Sequence, residues 1–488
     1  MSKVLLLVNP ATLQILSTKD YIAAFEQFSE HEVSYLPELP PAWKPLDAQG
    51  KVRSEADYGD ILSGFDAVVI TQHLRLCFDG WINPNLEVAL LKYGGVKVVF
   101  LHDEYDNTEK TREWLEIQKV NLVFSVVPEE HIEKVYDPAR FPNTQFKSIL
   151  TGYYPLKFHN KHYTKPIADR SHLIVYRGRV SPQSYGDLAK QKEMIGRYFD
   201  KYCQDHNCNS DIQWEEAERV YGLDWYGLLE TGVATLGTES GSNVFDEFGR
   251  IRSYVDGGGK LPGPKELNFV EENLGFKMNQ ISARLFEAIG CGTGLVLYQG
   301  DYSGVLTAGE HYISVNHDHS NIEEVIETLR NTQYVQNMVD DTRRYCESKK
   351  EIHFSYMIAL FDSEVSKQVK LTKHTKVVNK EAVSITQSLS LSVGEFSDIS
   401  ATGIGVFSAL HSDAMSRSVA MHQSVKLKTY RSLGRYPRVQ AFAKRVYLKY
   451  TKLYYIIYLL CRKIYRFIPN AFPVLGETKR SILSYLRK

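Results

Sequence analysis

Three stretches of this 488-residue chain combine residue types that could hold a charged, hydroxyl-rich ligand. The first is Tyr176-Arg177-Gly178-Arg179, directly after the apolar run Leu173–Tyr176. Guanidinium groups bind phosphate oxygens in pairs, and Gly178 lets the backbone approach, so the stretch suits a pyrophosphate. Lys190 and Lys192 follow within reach; a solvated basic loop is the plain alternative. The second is Gly237-Thr238-Glu239-Ser240-Gly241-Ser242-Asn243, after the run Val233–Leu236. Such a loop presents backbone N–H groups and hydroxyls to a polar ligand, or is simply a capped turn. The third runs from Asn279 to Thr293. Arg284 and Glu287 are three apart and share a helix face, Leu285, Phe286 and Ile289 supply a buried side, and Gly290 and Gly292 stop the helix. Spacing alone favours a surface ion pair there. Gly257–Gly259 before Lys260 is not a phosphate-binding P-loop, because Tyr254 stands at the first glycine position and Leu261 replaces the Ser or Thr. It reads as a flexible loop over a cleft.

The elements that position these stretches follow from the hydrophobic pattern. Short apolar runs at Val4–Val8, Ala67–Ile70, Val96–Leu101, Leu122–Val126 and Phe146–Leu150 alternate with amphipathic segments such as Asp20–Phe28 and Glu109–Gln118. That alternation implies a parallel sheet covered on both faces. The pattern restarts after Gly152-Tyr153-Tyr154-Pro155, with runs at Leu173–Tyr176, Val233–Leu236, Gly294–Tyr298 and Tyr312–Val315. Helices are expected within Asp187–Phe199, Ile281–Ile289, Ile322–Leu329 and Tyr356–Val369. The expected fold is α/β: two Rossmann-like domains, 1–150 and 151–375, facing a cleft, with ligands at the carboxyl ends of the strands. A Ser/Thr-rich linker is expected over 376–425 and a helical, basic tail over 426–488.

Composition narrows the partners. The chain has 58 Lys and Arg and 58 Asp and Glu. From Ser424 to Lys488, however, there are 16 basic residues and one acid, Glu477, so this part carries +15 and the rest −15. The tail interleaves cations and aromatics around an apolar core of nine residues, Leu453 to Cys461. A spanning helix needs about 20 residues, so the tail is expected to lie on an anionic membrane surface. Nucleic acid is the less favoured partner, and docking on a partner protein is a third option. The cysteines are scattered and no metal site is expected from them, Cys203, His206 and Cys208 lacking a second ligand pair. Val4 to Val8 is too short for a secretory signal and reads as a strand, so a cytoplasmic location is expected, peripheral to the inner membrane face.

The run Arg284-Leu285-Phe286-Glu287-Ala288-Ile289-Gly290-Cys291-Gly292-Thr293 resembles the R-x-F-E-A-x-A-x-G-T signature of group 1 glycosyltransferases, and looks closest to the spore-maturation glycosyltransferase-like branch. Tyr176 to Arg179, Leu236 to Asp246 and Gly309 to Ile313 strengthen the resemblance, which covers about residues 170–335. It implies the GT-B fold, a nucleotide-sugar donor and no bound metal or other cofactor. It further implies that Glu287 accepts hydrogen bonds from the donor ribose, that Arg284 lies nearby, and that Arg179 and Arg177 hold the diphosphate. Many relatives carry an acid eight positions before that glutamate; here the residue is Asn279. The acceptor side should come from the first domain, where Asp103, then Glu104, would be the general base of an inverting reaction. Asn9, Gln72 and His73 also stand at strand ends. The implied function is transfer of a sugar to a glycan or lipid-linked acceptor. The alternatives are a nucleotide-sugar epimerase of the same fold and a degenerate glycan-binding scaffold.

Overall fold

The computed structural model describes residues 1–38, 53–158, 165–259 and 269–389. The first half is a six-stranded sheet, all parallel: β1 (Lys3–Val8), β2 (Glu32–Pro37), β3 (Ala67–Ile70), β4 (Val96–Phe100), β5 (Leu122–Ser125) and β6 (Gln145–Ser148), in the order β2-β1-β3-β4-β5-β6. Its connections carry α1 (Leu16–Phe28), α2 (Glu55–Ser63), α3 (Pro84–Lys92), α4 (Thr108–Gln118) and α5 (Ile132–Val135). β1, β3, β4 and β5 are Val/Leu/Ile/Phe-rich and buried on both faces, as parallel strands between helical layers must be.

The second half holds β7 (His172–Arg177), α6 (Asp187–Asp205), β8 (Ser210–Gln213), α7 (Leu223–Leu229), β9 (Gly232–Gly237), β10 (Ser240–Ser242), α8 (Arg250–Asp256), α9 (Val270–Leu274), β11 (Met278–Gln280), α10 (Ala283–Gly290), β12 (Gly294–Tyr298), β13 (Ile313–Val315), α11 (Ile322–Arg330) and α12 (Thr332–Ser348). Its parallel sheet has the order β13-β12-β9-β7-β8, and β10 pairs antiparallel with β11. The excursion around β10 and β11 is shared between the halves: Phe245, Val270, Phe276 and Met278 pack into the first half's core beside Tyr105, Val127 and Tyr136. The two Rossmann-like halves therefore meet at their strand ends, the GT-B arrangement.

Two expectations need correction. The helix expected to close the second half is α13 (Phe354–Leu389), and it covers the first sheet. Phe361 packs against Phe25 at 5.0 Å and lies 6.0 Å from Phe124, with Met357, Ile358 and Val365 beside it. An apolar helix stripe shows that a face is buried, but not against which sheet. The expected linker over 376–425 begins as a continuation of this helix to Leu389. The remainder of the linker and the tail lie outside the described residues. Among the described residues no helix is long and apolar enough to cross a membrane.

Candidate functional site

β7 ends at Arg177, and its last residues set the cationic side of the site. Arg177 itself is not available to a ligand. Its guanidinium pairs with Asp211 through both nitrogens, at 2.8 and 2.9 Å, tying β7 to β8. Its carbonyl accepts from Arg284 Nη1 at 2.6 Å, which brings the start of α10 to the end of β7. Gly178 has no room for a side chain, since a Cβ would meet the Tyr176 ring at 2.8 Å. Arg179 is exposed.

Lys192 reaches the same place from α6. Its ammonium donates to Ser240 Oγ at 3.0 Å. Burial and the charge of Arg284 push its pKa down to about 8; Arg179 adds to this and Asp103 opposes it. Lys190 pairs with Asp187 instead. Among the described residues, Arg179, Lys192 and Arg284 have no ion-pair partner within 4.0 Å, although Arg284 and Arg179 lie close enough to add to the burial that lowers Lys192, and Arg179 close enough to add to the burial that lowers Arg284. Like charges gathered without a counter-ion form a ready anion site.

Arg284 also connects these cations to Glu287. Its guanidinium lies over the Trp225 ring, 5.3 Å from the centroid. The Trp225 indole N–H donates to Glu287 Oε2 at 2.8 Å. Burial pushes the Glu287 carboxyl up to about 7, against the pull of Trp225, Arg284 and the Ser17 backbone N–H. Spacing suggested a surface ion pair, but Glu287 is only 3% exposed, enclosed by Trp225 and the start of α1. The expected ribose contact would need one of these covers to move.

The loop after β9 is more structural than expected. Glu239 is buried: Oε2 accepts from Asn279 Nδ2 at 2.7 Å, and Oε1 accepts from the backbone N–H of Tyr302 at 2.9 Å and of Asp301 at 3.2 Å. The carboxylate that position 279 lacks is thus beside it, on Glu239. Gly241 has φ +104, and a Cβ there would sit 2.1 Å from the Met278 carbonyl oxygen. The Ser242 hydroxyl donates to Val244 O and accepts from Val244 N–H, fixing its own turn. Asn243 Oδ1 accepts from Leu188 N–H and caps α6. Only Ser240, through Lys192, faces the cations.

From the first half, Asp103 comes to the same cleft, within the field of Lys192. It has φ 52 and accepts from Arg75 at 2.5 Å and from the Tyr105 hydroxyl at 2.7 Å. Burial raises its carboxyl, but Arg75, Tyr105 and His102 outweigh this and hold it below the usual range. Glu104 points the other way. Its Oε1 accepts from Ser125 and Tyr136, both at 2.7 Å, and Oε2 from Val126 N–H at 2.7 Å. It is a buried knot under β5, which removes it as a base. Sequence reasoning also missed Arg75 and Trp225; neither belongs to a motif, and only the fold brings them here. Among the described residues no group of three His, Cys, Asp or Glu is placed to hold a metal ion.

The class that this geometry defines is a GT-B protein with a cluster of cationic side chains at the strand ends of its second half. Among solved structures, an alpha-glucosyltransferase in complex with UDP-glucose and DNA containing an abasic site is 11% identical at TM-score 0.46, over 74% of this chain and 99% of that one. T4 phage BGT in complex with its UDP-glucose substrate is 10% identical at TM-score 0.42, over 74% and 99%. HepE of Anabaena in complex with UDP is 10% identical at TM-score 0.39, over 75% and 100%. No family model and no curated protein matches the chain.

Proposed function

We propose that the protein is a glycosyltransferase that takes a sugar from a nucleoside-diphosphate donor held by its second half. One observation carries the reading: Arg179, Lys192 and Arg284 come together at the end of β7 without an ion-pair partner among the described residues, with Asp103 within the field of Lys192. The three cations would hold the diphosphate and stabilise its charge as the sugar leaves, without a resident metal. Glu287 would accept from the ribose hydroxyls once Trp225 or α1 withdraws. Asp103, ionised at neutral pH, would take the proton of the attacking hydroxyl. The acceptor oxygen then bonds to the anomeric carbon while the sugar–phosphate bond breaks toward the diphosphate.

Titration of the full chain with UDP, GDP, CDP, ADP and dTDP tests this. At least one should bind, with chelator present, and Arg284→Ala should weaken that binding roughly tenfold or more. Failure of all five to bind, or affinity unmoved by both Arg284→Ala and Glu287→Ala, rejects the donor site. The reading extends to a glycan or lipid-linked acceptor at an anionic membrane surface, supported by the +15 charge of Ser424–Lys488. Removal of 390–488 should abolish pelleting with phosphatidylserine vesicles; undiminished pelleting excludes the membrane role.

A further inference from the structure

The sequence places Cys203, His206 and Cys208 close together, and the proposed function leaves them unused. The fold makes the two cysteines neighbours in space. α6 ends at Asp205, with His206 as its C-cap. Asn207 follows in the left-handed region, at φ 53, and turns the chain back. The Cys208 N–H then donates to the Cys203 carbonyl at 2.9 Å. This is the six-to-one bond of a Schellman cap, which sets the side chains at its two ends against each other. The two thiols accordingly lie within hydrogen-bonding reach of one another. A disulfide needs Cα atoms roughly 4.4–6.8 Å apart, a spacing in keeping with a turn closed by this bond.

The two sulfurs differ in their surroundings. Of the five described cysteines, Cys77, Cys203, Cys291 and Cys346 are buried and Cys208 is half-buried. The Cys208 sulfur accepts from Arg330 Nη2 at 3.7 Å, while Arg330 Nη1 pairs with Glu327. A partly exposed sulfur beside a guanidinium is the setting in which cysteines are oxidised. Cys203 lies beneath it, 1% exposed. Burial pushes the Cys203 thiol up to about 11 against the pull of a Ser210 hydrogen bond, and Cys208 adds to the rise. Cys208 therefore meets an oxidant first, with Cys203 placed to resolve it. The intervening His206 is engaged elsewhere: its ring stacks on Tyr202 at 4.0 Å, and its Nδ1 lies 3.0 Å from the Tyr202 carbonyl oxygen.

The geometry points to Cys203 and Cys208 as a reversible redox pair that closes a disulfide across the end of α6 when the chain meets a peroxide. The Cys208 sulfur attacks one peroxide oxygen, the O–O bond breaks, and the departing hydroxide takes the thiol proton as water, leaving a sulfenic acid. The Cys203 sulfur then attacks the Cys208 sulfur, the S–O bond breaks, and the hydroxide leaves with the Cys203 proton as a second water. The two thiols lose two electrons and the peroxide gains them. A thiol reductant reverses the change by exchange. Both sulfurs fall in one tryptic peptide, 202–219, which holds no other cysteine. The test treats the full chain with hydrogen peroxide in native buffer, alkylates the remaining thiols and weighs this peptide by mass spectrometry. It should have lost two hydrogens and carry no alkyl group, and should take two alkyl groups after dithiothreitol. Cys203→Ser should leave Cys208 as a sulfenic acid that dimedone traps. The same treatment in urea should close less of the disulfide, because the cap no longer holds the sulfurs together. Two alkyl groups on the peroxide-treated peptide overturn the pair. So does a Cys208 disulfide to another cysteine or to a second chain, or oxidation of Cys208 to the sulfinic acid without a bond to Cys203. Equal or greater closure in urea overturns it as well, since the fold would then contribute nothing.

Discussion

Glu287 shows how one side chain can be tuned by its cover. Trp225 and α1 take it out of water, and its carboxyl rises to about 7. An unfolded glutamate titrates at about 4.3, so the folded chain holds this proton more tightly. The associated stability is fully present below the unfolded value and is lost as pH rises through about 7. Glu287→Gln should therefore melt higher relative to the parent at pH 8 than at pH 5; an equal offset at both values would show that the carboxyl is not perturbed. Lys192 is tuned in the opposite direction, down to about 8 by burial and Arg284. Its charge should be restored by a bound diphosphate, so nucleotide affinity should fall above pH 8, and Lys192→Met should cost roughly 10–100-fold at pH 7 by calorimetry. Arg177 and Arg179, two residues apart in one motif, divide between structure and site because only Arg177 has Asp211 beside it.

At the scale of elements, the short β10–β11 pair does the positioning. It registers Ser240 with Gln280 and Gly241 with Asn279, which brings Glu239 to Asn279 and Ser240 to Lys192. Gly241 is required twice over, by its positive φ and by the Met278 carbonyl against its missing Cβ. Gly241→Ala should destabilise by roughly 1–3 kcal/mol in urea unfolding and weaken nucleotide binding. A variant of unchanged stability would show that the pair can open without cost. Three residues on each side are too few for an apolar period, which is why this pair, and the polar edge strand β8, gave no signal in the sequence. The longer runs that became β1, β3, β4, β5, β7, β9 and β12 were legible because strands between two helical layers must be apolar on both faces.

At the scale of the molecule, the halves are joined by polar contacts as well as by the shared core. Asp106, 1% exposed, accepts from the Tyr185 hydroxyl at 2.7 Å and from Arg252 Nε at 3.0 Å, both from the second half. Asn107 and Asp246 extend the joint through a backbone hydrogen bond of 2.7 Å. Asp106→Ala leaves the Arg252 charge without its carboxylate and should cost roughly 3–5 kcal/mol in urea unfolding. A loss near zero would mean that the halves already separate in solution. α13 adds an apolar tie, following the second half in the chain and covering the sheet of the first.

The sequence alone determined the two parallel α/β halves, the cationic end of β7 and the helix bearing Arg284 and Glu287, because apolar runs and short-range spacing are local properties. Only the tertiary structure decided which polar residues serve the cleft. It paired Arg177 with Asp211, buried Glu104 beneath β5, turned Lys192 rather than Lys190 to the site, and carried Trp225 and Arg75 there. Whether a charged side chain is neutralised or left facing a ligand depends on neighbours tens of residues away in the chain, and that distance closes only on folding.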